Sequence, residues 1–412
     1  MSAKYELCYR TCPKLVNAAT LALMLLLLAS VTATNAQTFR LLYQFKSGRD
    51  GSFPYASLIL DAEGNLYGTT MIDGAYSYGT IFRLSPDGKE TVLHSFTGTG
   101  GDGANPVAPL TRDAAGNLYG TTEYGGLFGG ACGGNGCGIV FKIDPSGKET
   151  VLYRFTGIAG NDGMNPLQGL VRDSKGNLYG TTSQGGIYSY DYANSYGTVF
   201  KIDLAGKETL LHSFDPFSPP YDDGWYPMGG ALLRDQAGNL YGTTYLGGEP
   251  GPGTVFELDR SGGESILYNF GGSGDGRLPY GGLVRDAAGN LYGITMQGGA
   301  YQGGTIFKLD DNNNETIVHS FGGTGDGAPP GGGLARDGAG NLYGTTTEGG
   351  SEFFGTVFKL DASGEETVLH TFLGKQGNGP DWGVIRDSEG NLYGTTQYGG
   401  AYGGGVVFKI TP

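Results

Sequence analysis

GGLVRDAAGNLYGITMQGGAYQGGTIFKLDDNNNETIVHSF, residues 281–321, holds four short apolar segments separated by turns, and its reading decides the fold. GGLVRD, NLYGIT, GTIFKLD and ETIVHSF are rich in Val, Ile, Leu, Thr, Tyr and Phe, which suit a pleated, half-buried surface. None carries a helical period. The first junction, RDAAGN at 285–290, and the third, seen as LDASGEE at 360–366, place Gly where a tight hairpin needs positive φ, beside an Asp that can cap the turn. The second, TMQGGAYQGG at 295–304, and the fourth, GGTGDGAPP at 322–330, are longer and vary in length between copies, as loops that carry function do.

The unit recurs along the chain. NLYG begins at Asn65, Asn117, Asn177, Asn239, Asn290, Asn341 and Asn391, with spacings of 50 to 62 residues. Seven four-stranded units of that size predict an all-β, seven-bladed β-propeller of antiparallel blades over residues 37–412. The last copy stops at its third segment, Val406–Ile410, while Thr38–Phe45 (TFRLLYQF) matches the missing fourth, ETVLHSF. The N-terminal strand is therefore expected to complete the last blade, an offset that an open β-solenoid does not need. In such a meander the second connection and the crossover to the next blade share one face of the disc. That face is where a ligand is expected.

DxxGNLYGTT, GGxxxxGTVFKLD and GxETVLHSF together resemble the bacterial GloVer tandem repeat, found in proteins called choice-of-anchor GloVer-containing, and the resemblance spans essentially residues 38–412. It implies an exported protein, in some members with a C-terminal anchoring signal. It implies no reaction and no catalytic residues.

Residues 1–36 read as a secretory signal: Lys4, Arg10 and Lys14 precede the apolar run LALMLLLLA at 21–29, with cleavage expected after Ala36. The run is short for a bilayer span, and retention as an anchor is the weaker alternative. A secreted or periplasmic chain, soluble and monomeric once the signal is removed, is expected. Loss of those three basic residues with Glu6 moves the formal net charge from −14 to −16. So acidic a surface repels phosphate backbones, which argues against nucleic acid as a partner. Cys132 and Cys137, the cysteines outside the signal, are expected to form a disulfide in GGACGGNGCG; two thiols with no neighbouring His make half a zinc site at most.

His94, His212, His319 and His370 all fall at one repeat position that Tyr43, Tyr153 and Tyr268 fill elsewhere, so a packing aromatic explains them better than catalysis. Six crossovers carry DGxxP, at Asp50, Asp102, Asp162, Asp223, Asp275 and Asp326, and the seventh reads Asn378-Gly379-Pro380. A capped turn is the plainer reading. An acidic ring around the mouth, able to bind a cation, is the sharper one. Six Arg-Asp pairs, from Arg112-Asp113 to Arg386-Asp387, are expected to lock hairpins at the opposite face.

Residues that break the repeat are the candidate ligand contacts: Trp225, Trp382, Tyr190, Asp191, Tyr192, Tyr124 and Phe128, since aromatic faces beside carboxylates suit sugar rings or peptides. Packing of Gly- and Tyr-rich loops upon themselves is the competing explanation. Glu123, Asp191, Glu249, Glu348 and Glu352 offer carboxylates for glycosidic cleavage, but there is no Gly-x-Ser-x-Gly elbow, P-loop or His-Glu-x-x-His. No catalytic residue and no cofactor is assigned. The expectation is a non-catalytic binding or scaffold protein for a glycan or an extracellular protein. The alternatives are a propeller lyase or glycoside hydrolase using top-face carboxylates or a cation, and a purely structural matrix protein.

Overall fold

The computed structural model describes residues 37–129, 132–191, 195–217, 222–228 and 230–411. The expected signal segment 1–36 and the candidate contact Tyr192 lie outside them. Within Phe39–Thr411 the chain is a seven-bladed β-propeller, all β apart from short 3-10 turns. Blade 5 shows the plan: Gly276–Arg285, Leu291–Gly298, Thr305–Leu309 and Glu315–Ser320 run as an antiparallel meander from axis to rim. Thr38–Gln44 pairs with Val406–Thr411 as the rim strand of blade 7, so the N-terminal strand closes the ring.

NLYG is explained letter by letter. Asn117 and its counterparts close the hairpin on an Asp: Asp113 Oδ1 accepts from the Asn117 backbone N–H at 2.9 Å, and Oδ2 from the Asn117 side chain at 2.8 Å and the Tyr119 hydroxyl at 3.0 Å. Leu118 is buried. Gly120 lies under the ring of Phe141 on the third strand; a Cβ there would stand 2.6 Å from Phe141 Cζ. The same approach, 2.5 to 2.7 Å, holds at all seven copies, so any larger residue would push the ring out of place.

Each third-strand Phe also meets the last Phe of the preceding blade. Phe45–Phe82, Phe96–Phe141, Phe155–Phe200, Phe214–Phe256, Phe270–Phe307, Phe321–Phe358 and Phe372–Phe408 have centroids 5.0 to 5.4 Å apart, and all fourteen rings are fully buried. Nearer the opposite face, the Arg of each Arg-Asp pair lies over the NLYG Tyr of the preceding blade, as Arg112 does over Tyr67 at 5.7 Å. The pair therefore joins blades as well as capping a hairpin. Blade 1 has Leu60 at that position, and Lys409 covers Tyr393 instead.

The closing strand carries the same burial as an internal one. Phe45→Ala and Phe270→Ala should each destabilise the fold by about 3–5 kcal/mol in urea denaturation; a much smaller cost at Phe45 would mean that the terminal strand does not hold the ring.

Candidate functional site

On the loop face each crossover is stitched to the second connection of the blade it enters. Gly103–Ala104 pairs with Tyr124–Gly125, Gly163–Met164 with Gln184–Gly185, and Gly224–Trp225 with Leu246–Gly247. In six blades a residue one or two positions after the crossover Pro, and in three of these also the residue after the second strand, come together. Tyr55, Met71, Val107, Glu123, Leu167, Met228, Tyr280, Trp382 and Gln397 enclose a cavity of 300 Å³. Six blades contribute to it, which only a position on the axis allows.

Trp382 is the centre of this cavity's aromatic wall. It is 5 % exposed, with Tyr55 at 5.5 Å and Tyr280 at 6.0 Å between centroids. The Ser57 hydroxyl donates to its backbone carbonyl, tying blade 1 to blade 7. Its Nε1–H is buried and has no hydrogen-bond partner among the described residues. Burial raises the Glu123 carboxyl above its usual range, and burial together with the charge of Glu348 pushes Asp381, next to Trp382, up to about 7. A carboxyl that titrates near neutrality beside an aromatic wall can orient a polar ligand or move a proton. Asp381 was not among the sequence candidates, although its place beside Trp382 in GPDWG marked it.

The other candidates lie elsewhere. Tyr124, Tyr190 and Asp191 line a second cleft, of 480 Å³, together with Cys132, Asn135, Ile158 and Asn165. Cys132 and Cys137 are disulfide-bonded beside it, and Phe128 is exposed but does not line it. Trp225 stacks on Tyr196 at 5.7 Å, and Tyr196 in turn meets Phe217 at 5.4 Å. The two tryptophans therefore do not converge: one is axial, the other packs in an aromatic cluster between blades 3 and 4. Glu249, Glu348 and Glu352 are exposed.

The crossover aspartates do not ring the mouth. They turn outward to the rim strands, where their oxygens accept hydrogen bonds from nearby groups. Asp162 accepts from the Tyr153 hydroxyl at 2.8 Å and the Thr156 N–H at 3.0 Å, and Asp275 from Tyr268 at 3.1 Å and the Gly271 N–H at 2.9 Å. The capped-turn reading fits this placement. In blade 7 the equivalent position is Gln376, not Asn378, because Gly377 is the glycine that packs on Thr396, as Gly103 packs on Thr122.

Beside each Asp stands a Glu from the rim strand of the next blade. Glu90, Glu149, Glu208, Glu264, Glu315 and Glu366 each have a buried Oε1 with no partner among the described residues, and each carboxyl is pushed up to about 7 by burial and, in addition, by the neighbouring Asp charge. The third member alternates around the ring: Tyr43, His94, Tyr153, His212, Tyr268, His319. At the seventh junction Phe39 replaces the Glu and stacks on His370 at 3.8 Å, and burial lowers that imidazole to about 4.

A carboxyl raised in the folded state favours the fold while it is protonated, fully so below the ordinary value of 4.5, and that contribution is lost as pH rises through about 7. Of the histidines, His212, raised by its carboxylates despite burial, acts in the same sense, while His370 opposes it. The thermal midpoint should fall from pH 5 to pH 8, and Glu208→Gln with Glu315→Gln, at junctions that hold no histidine, should flatten the slope. A midpoint that rises over this window would contradict the paired carboxyls.

A family model described as the Gloeobacter/Verrucomicrobia repeat matches residues 28–191, 127–339 and 226–412. Among solved structures, the chain is similar to a streptogramin B lyase (TM-score 0.60, 11 % identity, 91 % of this chain and 97 % of that one). It is also similar to virginiamycin B lyase from Staphylococcus aureus (0.57, 12 %, 91 % and 99 %) and to the extracellular domain of a one component system from B. thetaiotaomicron (0.56, 13 %, 90 % and 40 %). At these identities the likeness is one of fold. No curated protein sequence matches the chain.

Proposed function

The chain belongs to the Gloeobacter/Verrucomicrobia repeat family, and from that premise we propose an exported binding protein that takes a sugar ring in the axial cavity of its loop face. The carrying observation is the cavity itself, where seven near-equivalent blades depart from equivalence. Trp382, Tyr55 and Tyr280 offer flat apolar area, while Glu123, Gln397 and the Trp382 Nε1–H, which has no partner among the described residues, offer polar groups that fix orientation. Its 300 Å³ stands at the lower end of the range for small-molecule sites, about 300–1,000 Å³, and fits one ring rather than a chain of them. The cleft of Tyr124, Tyr190 and Asp191, with its disulfide, is a second surface for a longer glycan or a protein partner.

Export is supported by the leader-like residues 1–36 and by the disulfide, which persists in oxidising compartments. Among the described residues no helix is long and apolar enough to cross a membrane.

Asp381 favours a second reading. A carboxyl at about 7 next to Trp382, close enough for its charge to act on Tyr55 and Tyr280 of the cavity wall, is fit for general acid–base work, as a polysaccharide lyase or glycoside hydrolase requires.

A glycan array followed by calorimetry tests the first reading. Saturable binding of one glycan class, weakened at least tenfold by Trp382→Phe or Tyr280→Phe with little change in melting temperature, is expected; an empty array refutes it. Release of reducing or unsaturated ends from the same glycans, abolished by Asp381→Asn, would replace the binding protein by the enzyme.

A further inference from the structure

The junction between blades 3 and 4 departs from its siblings in a way that points to a metal. His212 Nε2 lies 3.4 Å from Asp223 Oδ2 and 3.5 Å from Glu264 Oε2. The three side chains come from the rim strand of blade 3, the crossover, and the rim strand of blade 4. Bonds of ~2.1 Å from nitrogen and oxygen donors to a tetrahedral zinc place neighbouring donor atoms about 3.4 Å apart. The His212 distances match that edge.

The sibling sites do not. His94 stands 3.9 Å from both Asp102 and Glu149, and His319 is hydrogen-bonded to Asp326 at 3.3 Å, with Glu366 outside ion-pair distance. At the Tyr junctions the phenol donates to the Asp, which gives the same position a purely structural use.

A second, independent observation concerns hydrogen bonding. His212 Nε2, Asp223 Oδ1 and Glu264 Oε1 are buried atoms with no hydrogen-bond partner among the described residues. His94 Nε2 and the other five Glu Oε1 atoms share that state, whereas Asp223 Oδ1 is the one crossover Asp oxygen that does, its Oδ2 accepting from the Asp215 N–H. Buried polar atoms are seldom left so. A third is local sequence: this crossover alone carries more than one acid, and Asp215 and Asp222 line a 450 Å³ cavity open to solvent together with His212, Asp223 and Glu264. Imidazole plus carboxylates is the donor set of zinc and its borderline neighbours rather than of calcium.

We propose that His212, Asp223 and Glu264 bind a divalent transition metal of the zinc type, with Asp222 or water completing its coordination. The ion would bridge two blades beneath the long insertion of unit 3, whose Ile187 and Tyr188 line the same cavity. The site is at the rim and separate from the axial cavity, so it stands or falls independently of the sugar-binding reading.

Zinc chloride titrated by calorimetry into the purified, chelator-stripped chain tests it. One saturable site is expected. His212→Tyr should weaken it at least tenfold, as should Glu264→Gln, while His94→Tyr and His319→Tyr leave it unchanged. The tyrosine variants keep a residue that the repeat itself places there in three other blades, so each should melt cooperatively. No saturable binding, binding that survives His212→Tyr, or an equal loss in His319→Tyr would overturn the proposal.

Discussion

One contact repeated seven times organises this molecule: a phenylalanine at the end of each rim strand set against a phenylalanine on the third strand of the next blade. The second ring in turn needs a glycine beneath it on the neighbouring strand of its own blade. Backbone hydrogen bonds between blades are single ones on the loop face, such as Asn105 N–H to Tyr78 O and Tyr226 N–H to Tyr196 O, with one isolated bridge between Gly333 and Gly383, so most of the area that holds neighbouring blades together is side chain. Aromatic pairs supply large buried area with a fixed geometry, which sets both the spacing of the blades and the angle between them. The Arg–Tyr stacks near one face and the Asp–Glu pairs near the other complete five of the seven interfaces, the closing blade lacking the Glu and blade 1 the Arg.

The fold was legible because this constraint is written into a short string. Gly in NLYG, Phe in TVFKLD and Phe in ETVLHSF are its three parts, and their recurrence marks the blades in the sequence itself. The closing strand was legible for the same reason, since TFRLLYQF keeps the terminal Phe45 while losing most of the rest. The site was less so. Residues near the axis sit far apart in the chain and touch only because the ring is closed, so Tyr55, Tyr280 and Trp382 carry no common local signal. Trp225 and Trp382 look alike in sequence, yet a difference of a few positions after the crossover glycine sends one into an interface and the other to the axis.

The crossover aspartates show a second reason for error. Read inside their own unit they form a ring of acids at the mouth; their actual neighbours are glutamates that belong to the following blade. A repeat aligned only to itself conceals contacts that cross its boundary. Reading Asn378 as the seventh acid position failed in a related way, because spacing to the proline was followed where the glycine that packs on threonine keeps the register.

Ring closure by the first strand also orders events in time. Thr38–Gln44 is the earliest of the propeller strands to be synthesised, and its partner, Val406–Thr411, is the last. Until then blade 7 has no rim and Phe45 has no sheet to anchor it against Phe82. Six blades can assemble as they emerge; the circle itself is fastened in a single late step, and a chain interrupted before its final segment keeps an open strand edge that invites pairing with other chains.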